Sequence, residues 1–391
     1  MRKFRISAYI LFIISLFIKY ISSKYSYIVE NYYSKNIDIY IVKFLSKLNS
    51  TFSFSYFEIL IYIFVLSIII SIIYLIRKGF KGKKAFFSSL KNIILNYIGV
   101  LCFIYFLFII LWGINYNRES LIESIKDEYK ANITQNIRKK EDDVESKDYK
   151  QTYIKDIDNK EFEKVDLKNL YEYLIKECNK TKKEVNTSNS DMKNDIKSIK
   201  DMISKLENGY DNVELLNLNN LGNYSKAKII LNSKLLSYTN ITGIYSPFTG
   251  EANINTNQPK SIPFTILHEM AHQRGYANES EANFLAYLAC INNKDIYVKY
   301  SGYFMALKYT ASALSKVDYE SFKYLTENID DDVLKDLRDY FKFWEKYEGK
   351  TSQVSDNMNN VYLKLNKVKE GTRSYGKVVD LLLLYYYLYE K

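Results

Sequence analysis

Only two histidines occur in the 391-residue chain, His268 and His272, four positions apart with Glu269 directly after the first. On a helix, positions i and i+4 lie on one face about one turn apart, so both imidazoles can reach one ion. Zinc accepts imidazole nitrogen at about 2.0–2.1 Å and is commonly four-coordinate. Glu269, beside the first ligand, is then positioned to take a proton from water held by that ion. The chemistry expected is metal-assisted hydrolysis, with zinc (Zn2+) as cofactor, His268 and His272 as ligands and Glu269 as general base. The plain alternative is a helix with two ordinary surface or core histidines, which leaves the spacing and the glutamate as coincidence.

A third ligand is needed, and with no third histidine it has to be a carboxylate. Glu279 and Glu281 are within reach. If Asn278 caps a second helix, Glu281 falls three positions into it, where its side chain can bond back in a capping box. Glu279 is then free at the first helical position, with Asn283 four residues on and able to hydrogen-bond the metal shell. Glu279 is the favoured ligand and Glu281 the alternative. The plain alternative is that both are acids favoured by a helix N-terminus. Three protein ligands would leave the fourth position to water, as in catalytic sites.

The segment carrying these residues starts and stops like a helix. Pro263 suits its first turn, Phe264, Leu267 and Ala271 give an apolar face, and Gly275 can end it in the left-handed conformation. Tyr276 and Ala277 then make a tight turn into a helix beginning near Asn278. Upstream, 227–231 and 235–238 are short apolar runs of strand type, and turn residues bracket another strand candidate within 243–255. All three prolines (Pro247, Pro259 and Pro263) fall in this neighbourhood. Elsewhere the pattern is helical. Leu167, Leu170, Tyr171, Leu174, Ile175 and Cys178 form one stripe, and Met192, Ile196, Ile199, Met202, Ile203 and Leu206 form another, closed by Gly209. Residues 125–165 and 179–191, rich in Lys, Asp, Glu and Asn, read as solvated connections or exposed helix faces. The apolar stretch 378–389 is too short to span a bilayer and reads as a buried helix.

The net charge of +10 does not indicate nucleic acid. Residues 1–92 hold 14 Lys/Arg against Glu30, Asp38 and Glu58, a net of +11, so the remainder sums to −1. The excess belongs to segments flanking three apolar runs, 6–22, 59–76 and 93–114. A span needs about 20 predominantly apolar residues; the second and third qualify, and the first is marginal because of Lys19. No small-x-small site follows the first, so an uncleaved helix is expected rather than a signal peptide. Basic residues at the N-terminus and in 77–91 predict a cytoplasmic N-terminus and an extracytoplasmic region after residue 114. Three domains are expected: a membrane part (1–117), a charged helical spacer or upper subdomain (118–225) and a metal-binding domain (226–391). The cysteines Cys102, Cys178 and Cys290 have no metal spacing. A Cys178–Cys290 bond is open, with two unpaired buried thiols preferred.

The motif His268-Glu269-x-x-His272 with a following helix resembles the zincin metallopeptidases. Glu279-Ser280-Glu281-Ala282-Asn283 is similar to the Glu-x-x-x-Asp segment of their gluzincin branch, which includes membrane-bound CAAX prenyl endopeptidases, although Asn283 stands where they place Asp and the interval from His272 is short. His272 through Asn278 also resembles metzincin spacing, with Asn at the third histidine. The resemblance implies a mainly α chain in which transmembrane helices precede a zincin-like α+β domain with a small sheet and an HExxH helix. The whole layout further resembles a family of bacterial membrane proteins with three N-terminal spans and an HExxH domain. Segments 112–116, 246–253 and 268–290 carry that resemblance, which implies architecture more than substrate.

Two functions follow. One is a multi-pass zinc peptidase acting outside the cytoplasm on protein or peptide substrates, with the lipid bilayer as its surroundings. An extended peptide could add to the strand at 252–255, and Arg373 or Tyr375 could stabilise the oxyanion. The other is a non-catalytic zinc-binding sensor or assembly factor. A transporter is disfavoured, since the spans are few and carry no well-placed buried charge apart from Lys19.

Overall fold

The computed structural model describes residues 2–138, 157, 161–188, 190, 195–222, 224–258, 260–366 and 376–391. The chain is mainly helical with one three-stranded sheet. Met192, Pro259, Arg373 and Tyr375 lie outside the described residues, so the expectations that fell on them find no counterpart here.

Three helices are long and apolar enough to cross a membrane: α1 (Arg2–Ser22), α3 (Tyr56–Gly79) and α4 (Lys83–Leu111). Each runs past its apolar window because the flanking basic residues continue the helix. The third stops early: Trp112 breaks the α-helical geometry and Gly113–Asn117 tightens into a 3-10 turn. A Cβ on Gly113 would lie 2.7 Å from Ile109 Cδ1, so a larger residue could not make this turn unchanged. α4 packs along both α1 and α3. Between α1 and α3, residues 26–49 are helical, with π-type bonding over Val29–Asp38 followed by α2 (Ile39–Asn49).

After the third span come α5 (Leu121–Arg138), α6 (Lys164–Ser188) and α7 (Ile196–Lys205). Ile125, Leu170, Tyr171, Leu174 and Cys178 are buried, as are Ile199, Met202, Ile203 and Leu206. They belong to one continuous core with the helices that follow. The segment expected as a spacer thus contributes buried side chains to the same core as residues 226–391. Its charged stretch 179–188 continues α6 and buries Thr181, Lys182 and Val185.

The sheet contains β1 (Lys228–Ile229), β2 (Gly243–Ser246) and β3 (Glu251–Ile254), in the order β1-β3-β2. β1 runs parallel to β3 and β2 antiparallel, with Ile244 opposite Asn253. The strand expected at 235–238 is instead a short helix, α8 (Ser233–Ser237), with Leu235 exposed. Four apolar residues carry no period that could separate the two structures. The peptide-adding strand at 252–255 is also corrected, because β3 is central and its edges are occupied; β2 is the edge.

α9 (Ile262–Gln273) packs against the sheet and against α10 (Glu279–Ile291), and α11 (Ile296–Val317) lies beside both helices. α12 (Tyr319–Thr326), α13 (Asp331–Glu345), α14 (Lys350–Leu365) and α15 (Lys377–Tyr385) complete the chain. α15 is buried, as its length and apolarity predict.

The sheet is fastened to the start of α3. The buried Glu251 carboxylate accepts from the backbone N–H groups of Tyr56 (3.1 Å) and Phe57 (2.9 Å), where a helix N-terminus favours negative charge. Ser55 Oγ reaches Asn253 Oδ1 at 2.6 Å, and Lys228 donates to the Asn49 and Phe52 carbonyls.

Candidate metal centre

α9 begins with Pro263 in its first turn and ends where Gly275 takes φ +80°. The reversal over 274–278 delivers the chain to Asn278, whose side chain accepts from the N–H groups of Ser280 and Glu281. This makes Glu279 the first residue of α10 and aims its carboxylate back at α9.

The result is a cluster of His268, His272 and Glu279, whose ligand atoms all lie within 4.8 Å of one another. Glu279 Oε2 is 3.2 Å from His268 Nε2, and Glu279 Oε1 is 3.8 Å from His272 Nε2. Bonds of about 2.0–2.1 Å to one tetrahedral ion put ligand atoms roughly 3.3 Å apart, so the donor set fits a zinc-sized cation. His272 Nδ1–H donates to the Tyr276 carbonyl at 2.6 Å, which fixes the tautomer that leaves Nε2 as ligand. The Tyr276 carbonyl comes from the same reversal that positions Glu279. His268 Nδ1, in contrast, is buried with no hydrogen-bond partner.

Burial alone would lower the His272 imidazolium and raise the Glu279 carboxyl. The contact between them prevails: His272 is held up at about 9 and Glu279 well below the usual carboxylate range. A group of opposite charge therefore has a strong electrostatic preference for this point, and a cation bound by neutral imidazoles would take the place of the proton.

Glu281 is not in the cluster. Its carboxylate accepts from the Leu121 N–H at 3.1 Å, tying α10 to the start of α5, and burial pushes it up to about 7. It does not close a capping box. Asn283 also departs from expectation: its Oδ1 accepts from the Tyr309 hydroxyl at 3.1 Å, and its Nδ2 is buried without a partner.

Glu269 faces the cluster from beneath β2. A Cβ on Gly243 would lie 2.5 Å from Glu269 Oε1, so the strand comes this close only because position 243 has no side chain. Burial raises the Glu269 carboxyl, against the opposing effect of His268 and His272 and a hydrogen bond from the Tyr245 backbone N–H.

These groups open onto a cleft of about 1010 Å3. β2 (Gly243, Ile244 and Tyr245) lines one side, α11 contributes Met305, Lys308 and Tyr309, and α14 contributes Val354, Met358 and Tyr362. Trp112 and Tyr116, just beyond the third span, complete the lining. The Trp112 ring lies 5.6 Å from that of His272 and 4.8 Å from that of Tyr245. The Tyr116 hydroxyl donates to that of Tyr362 at 2.9 Å.

Behind the cluster is a buried polar knot. Arg118 makes a two-pronged contact with Glu30 (2.7 and 2.9 Å) and donates to the Gly275 carbonyl at 3.0 Å. Its guanidinium stacks on the Tyr276 ring at 4.1 Å. Asp38 lies beside Gly275, where burial, partly offset by Asn115 and Arg118, pushes it up to about 7. No motif or spacing in the sequence points to this knot; its one signal is that Glu30 and Asp38 are two of the three acids in a basic region.

Fold and site together define a mainly helical protein with three candidate spans and a His–His–Glu cluster beside the last of them. Residues 33–383 match the family described as "Protein of unknown function (DUF3810)", and the chain belongs to that family. No curated protein and no solved structure matches it.

Proposed function

We propose that this chain is a zinc metallopeptidase, anchored in the cell membrane by three spans, with a zincin-like domain acting on the extracytoplasmic side. The observation that carries the reading is the convergence of His268, His272 and Glu279 on one point, with Glu269 beside it at the floor of a cleft. Bound zinc would supply Lewis acidity toward a scissile carbonyl and toward water.

The chain's own residues supply the rest. Glu269, with its affinity for a proton raised by burial, takes the proton of the attacking water and passes it to the leaving amine. β2 is an edge strand beside the cleft, and Gly243 and Tyr245 alternate with the residues paired to β3, so the Gly243 backbone and the Tyr245 carbonyl can pair with an extended peptide while the Tyr245 N–H holds Glu269. The Tyr309 hydroxyl lines the cleft, and on turning its hydrogen away from Asn283 Oδ1 it would be the candidate donor toward the developing oxyanion. The basic N-terminus and the basic 77–91 turn support a cytoplasmic location for both and an extracytoplasmic one for the cleft.

The test is zinc content and peptide-library hydrolysis by the full-length protein in lipid nanodiscs. Glu279→Ala should lose zinc while Glu281→Ala keeps it, and Glu269→Gln should keep zinc and lose hydrolysis. Zinc without turnover in the unmutated protein would identify the non-catalytic sensor or assembly factor instead. A folded sample that binds no zinc would overturn both.

A further inference from the structure

α14 forms one wall of the cleft and carries an apolar stripe that no part of the described chain covers. Val354, Met358, Val361 and Leu365 recur at intervals of four, three and four, which puts them along one line of the helix. They are 56–70 % exposed. The stripe lies between two other faces of the same helix. Thr351, Ser355, Asn359 and Tyr362 turn toward the cleft, with Val354 and Met358 of the stripe at its margin, while Gln353, Asn357 and Lys364 form a polar flank.

The position of α14 identifies what covers this stripe. Lys19, one turn from the end of α1, donates to the Leu365 carbonyl at 2.7 Å and to Asn366 Oδ1 at 3.3 Å. The Tyr362 ring lies 6.0 Å from Phe108, in the last turn of α4. The C-terminal half of α14 therefore sits level with the ends of two candidate spans. Tyr362, 36 % exposed, stands at this level, as aromatic residues with a polar tip do at membrane–water boundaries. A second stripe has the same character. Ile37, Tyr40, Phe44 and Leu48 are 54–74 % exposed, on a segment whose two ends join α1 and α3 at one membrane face. Its opposite face, with Asp38, Val42, Ser46 and Asn49, is buried against the protein.

We propose that α14 is an interfacial helix whose Val354–Met358–Val361–Leu365 stripe is seated in the lipid headgroup layer, making the bilayer surface the outer rim of the cleft. Lys350 and Lys364 flank the stripe, where their ammonium groups can meet phosphates. Ligands would then reach the His–His–Glu cluster along the membrane surface. If the peptidase reading holds, the substrate is a polypeptide stretch next to a membrane span or lipid anchor; lipid contact itself does not depend on that reading.

The experiment is depth-dependent quenching on the full-length protein in phosphatidylethanolamine/phosphatidylglycerol nanodiscs. Single cysteines at Val354, Met358, Val361, Leu365, Gln353 and Asn357, in a Cys102→Ser background, would carry an environment-sensitive fluorophore. Cys178 and Cys290 are buried. At the four stripe positions, lipid bearing a headgroup-proximal spin label should quench at least about twice as strongly as aqueous iodide, with the reverse at Gln353 and Asn357. Iodide dominating at all six positions would overturn the proposal. So would protection of the stripe from both quenchers, which is the signature of a second copy or another protein on this face. Zinc content and hydrolysis play no part in the readout, so its failure and that of the peptidase reading are separable.

Discussion

Gly243→Ala isolates the contact between the edge strand and Glu269. The three heavy atoms nearest the added Cβ all belong to Glu269, at 2.5 Å (Oε1), 2.7 Å (Cγ) and 2.8 Å (Cδ). Gly243 does not have a left-handed backbone, so alanine there is not strained by φ and the whole effect comes from the methyl group. Ordinary contact begins near 3.4 Å, so strand and carboxylate must separate by about 1 Å. Overpacking of this size in a close-packed region costs about 1–3 kcal/mol. In a Glu269→Ala background the obstructing atoms are gone and the same substitution should cost close to nothing. The thermal or denaturant stabilities of the four proteins in nanodiscs therefore close a double-mutant cycle, with an expected coupling of about 1–3 kcal/mol. Additivity within about 0.5 kcal/mol would refute the contact. If Glu269 is the general base, Gly243→Ala should also lower turnover by about 100-fold, since a displacement of about 1 Å costs that much. Zinc content should stay unchanged, because none of the three ligands touches the new methyl.

Three further outcomes follow from the surrounding network. Arg118→Met should destabilise the protein by up to about 3–5 kcal/mol, because it leaves the buried Glu30 with only the exposed Lys35, at 3.3 Å, as a charged partner; adding Glu30→Gln should recover part of that in the same melting assay. The stability contributed by Asp38 depends on pH with a definite sign. Its folded-state value, about 7, exceeds its ordinary 3.8, so the contribution is full below about pH 4, declines as pH rises to about 7 and is constant above. Asp38→Asn should flatten the decline in melting temperature across that window, and an unchanged slope would assign it to another group. Asn278→Ala should cost about 1 kcal/mol through loss of the N-cap and weaken zinc binding measured by chelator competition, whereas Asn278→Ser should restore both.

Much of this arrangement was legible along the chain because its causes are local. Three apolar runs became three helices of spanning length, Pro263 and Gly275 marked the ends of the HExxH helix, and Asn278 announced the next. Glu279 could be preferred over Glu281 because a cap fixes which way the first helical residue points. The partner Glu281 uses instead, the Leu121 N–H, lies 160 residues away and has no sequence signal. The same holds for the edge of the sheet. β2 and β3 are separated by a short turn, but which of them is the edge depends on β1 joining from the far side. The run at 235–238 failed for a different reason, being too short to show a period. The polar knot around Arg118 draws on residues from 30 to 275, so no window of sequence could reveal it.

The fastening of the sheet to the second candidate span bears on whether residues 118–391 could stand apart from the helices that precede them. Glu251 is fully buried, and its carboxylate caps the first turn of α3; Lys228 and Asn253 likewise use partners between residues 49 and 55. Cleavage after residue 117 would strip these groups of their partners and remove Trp112 from beside His272. The freed piece would expose the buried Glu251 on β3, the strand paired with the one that carries Gly243. The three helices of spanning length and the segments that join them are thus part of the site's interior wiring.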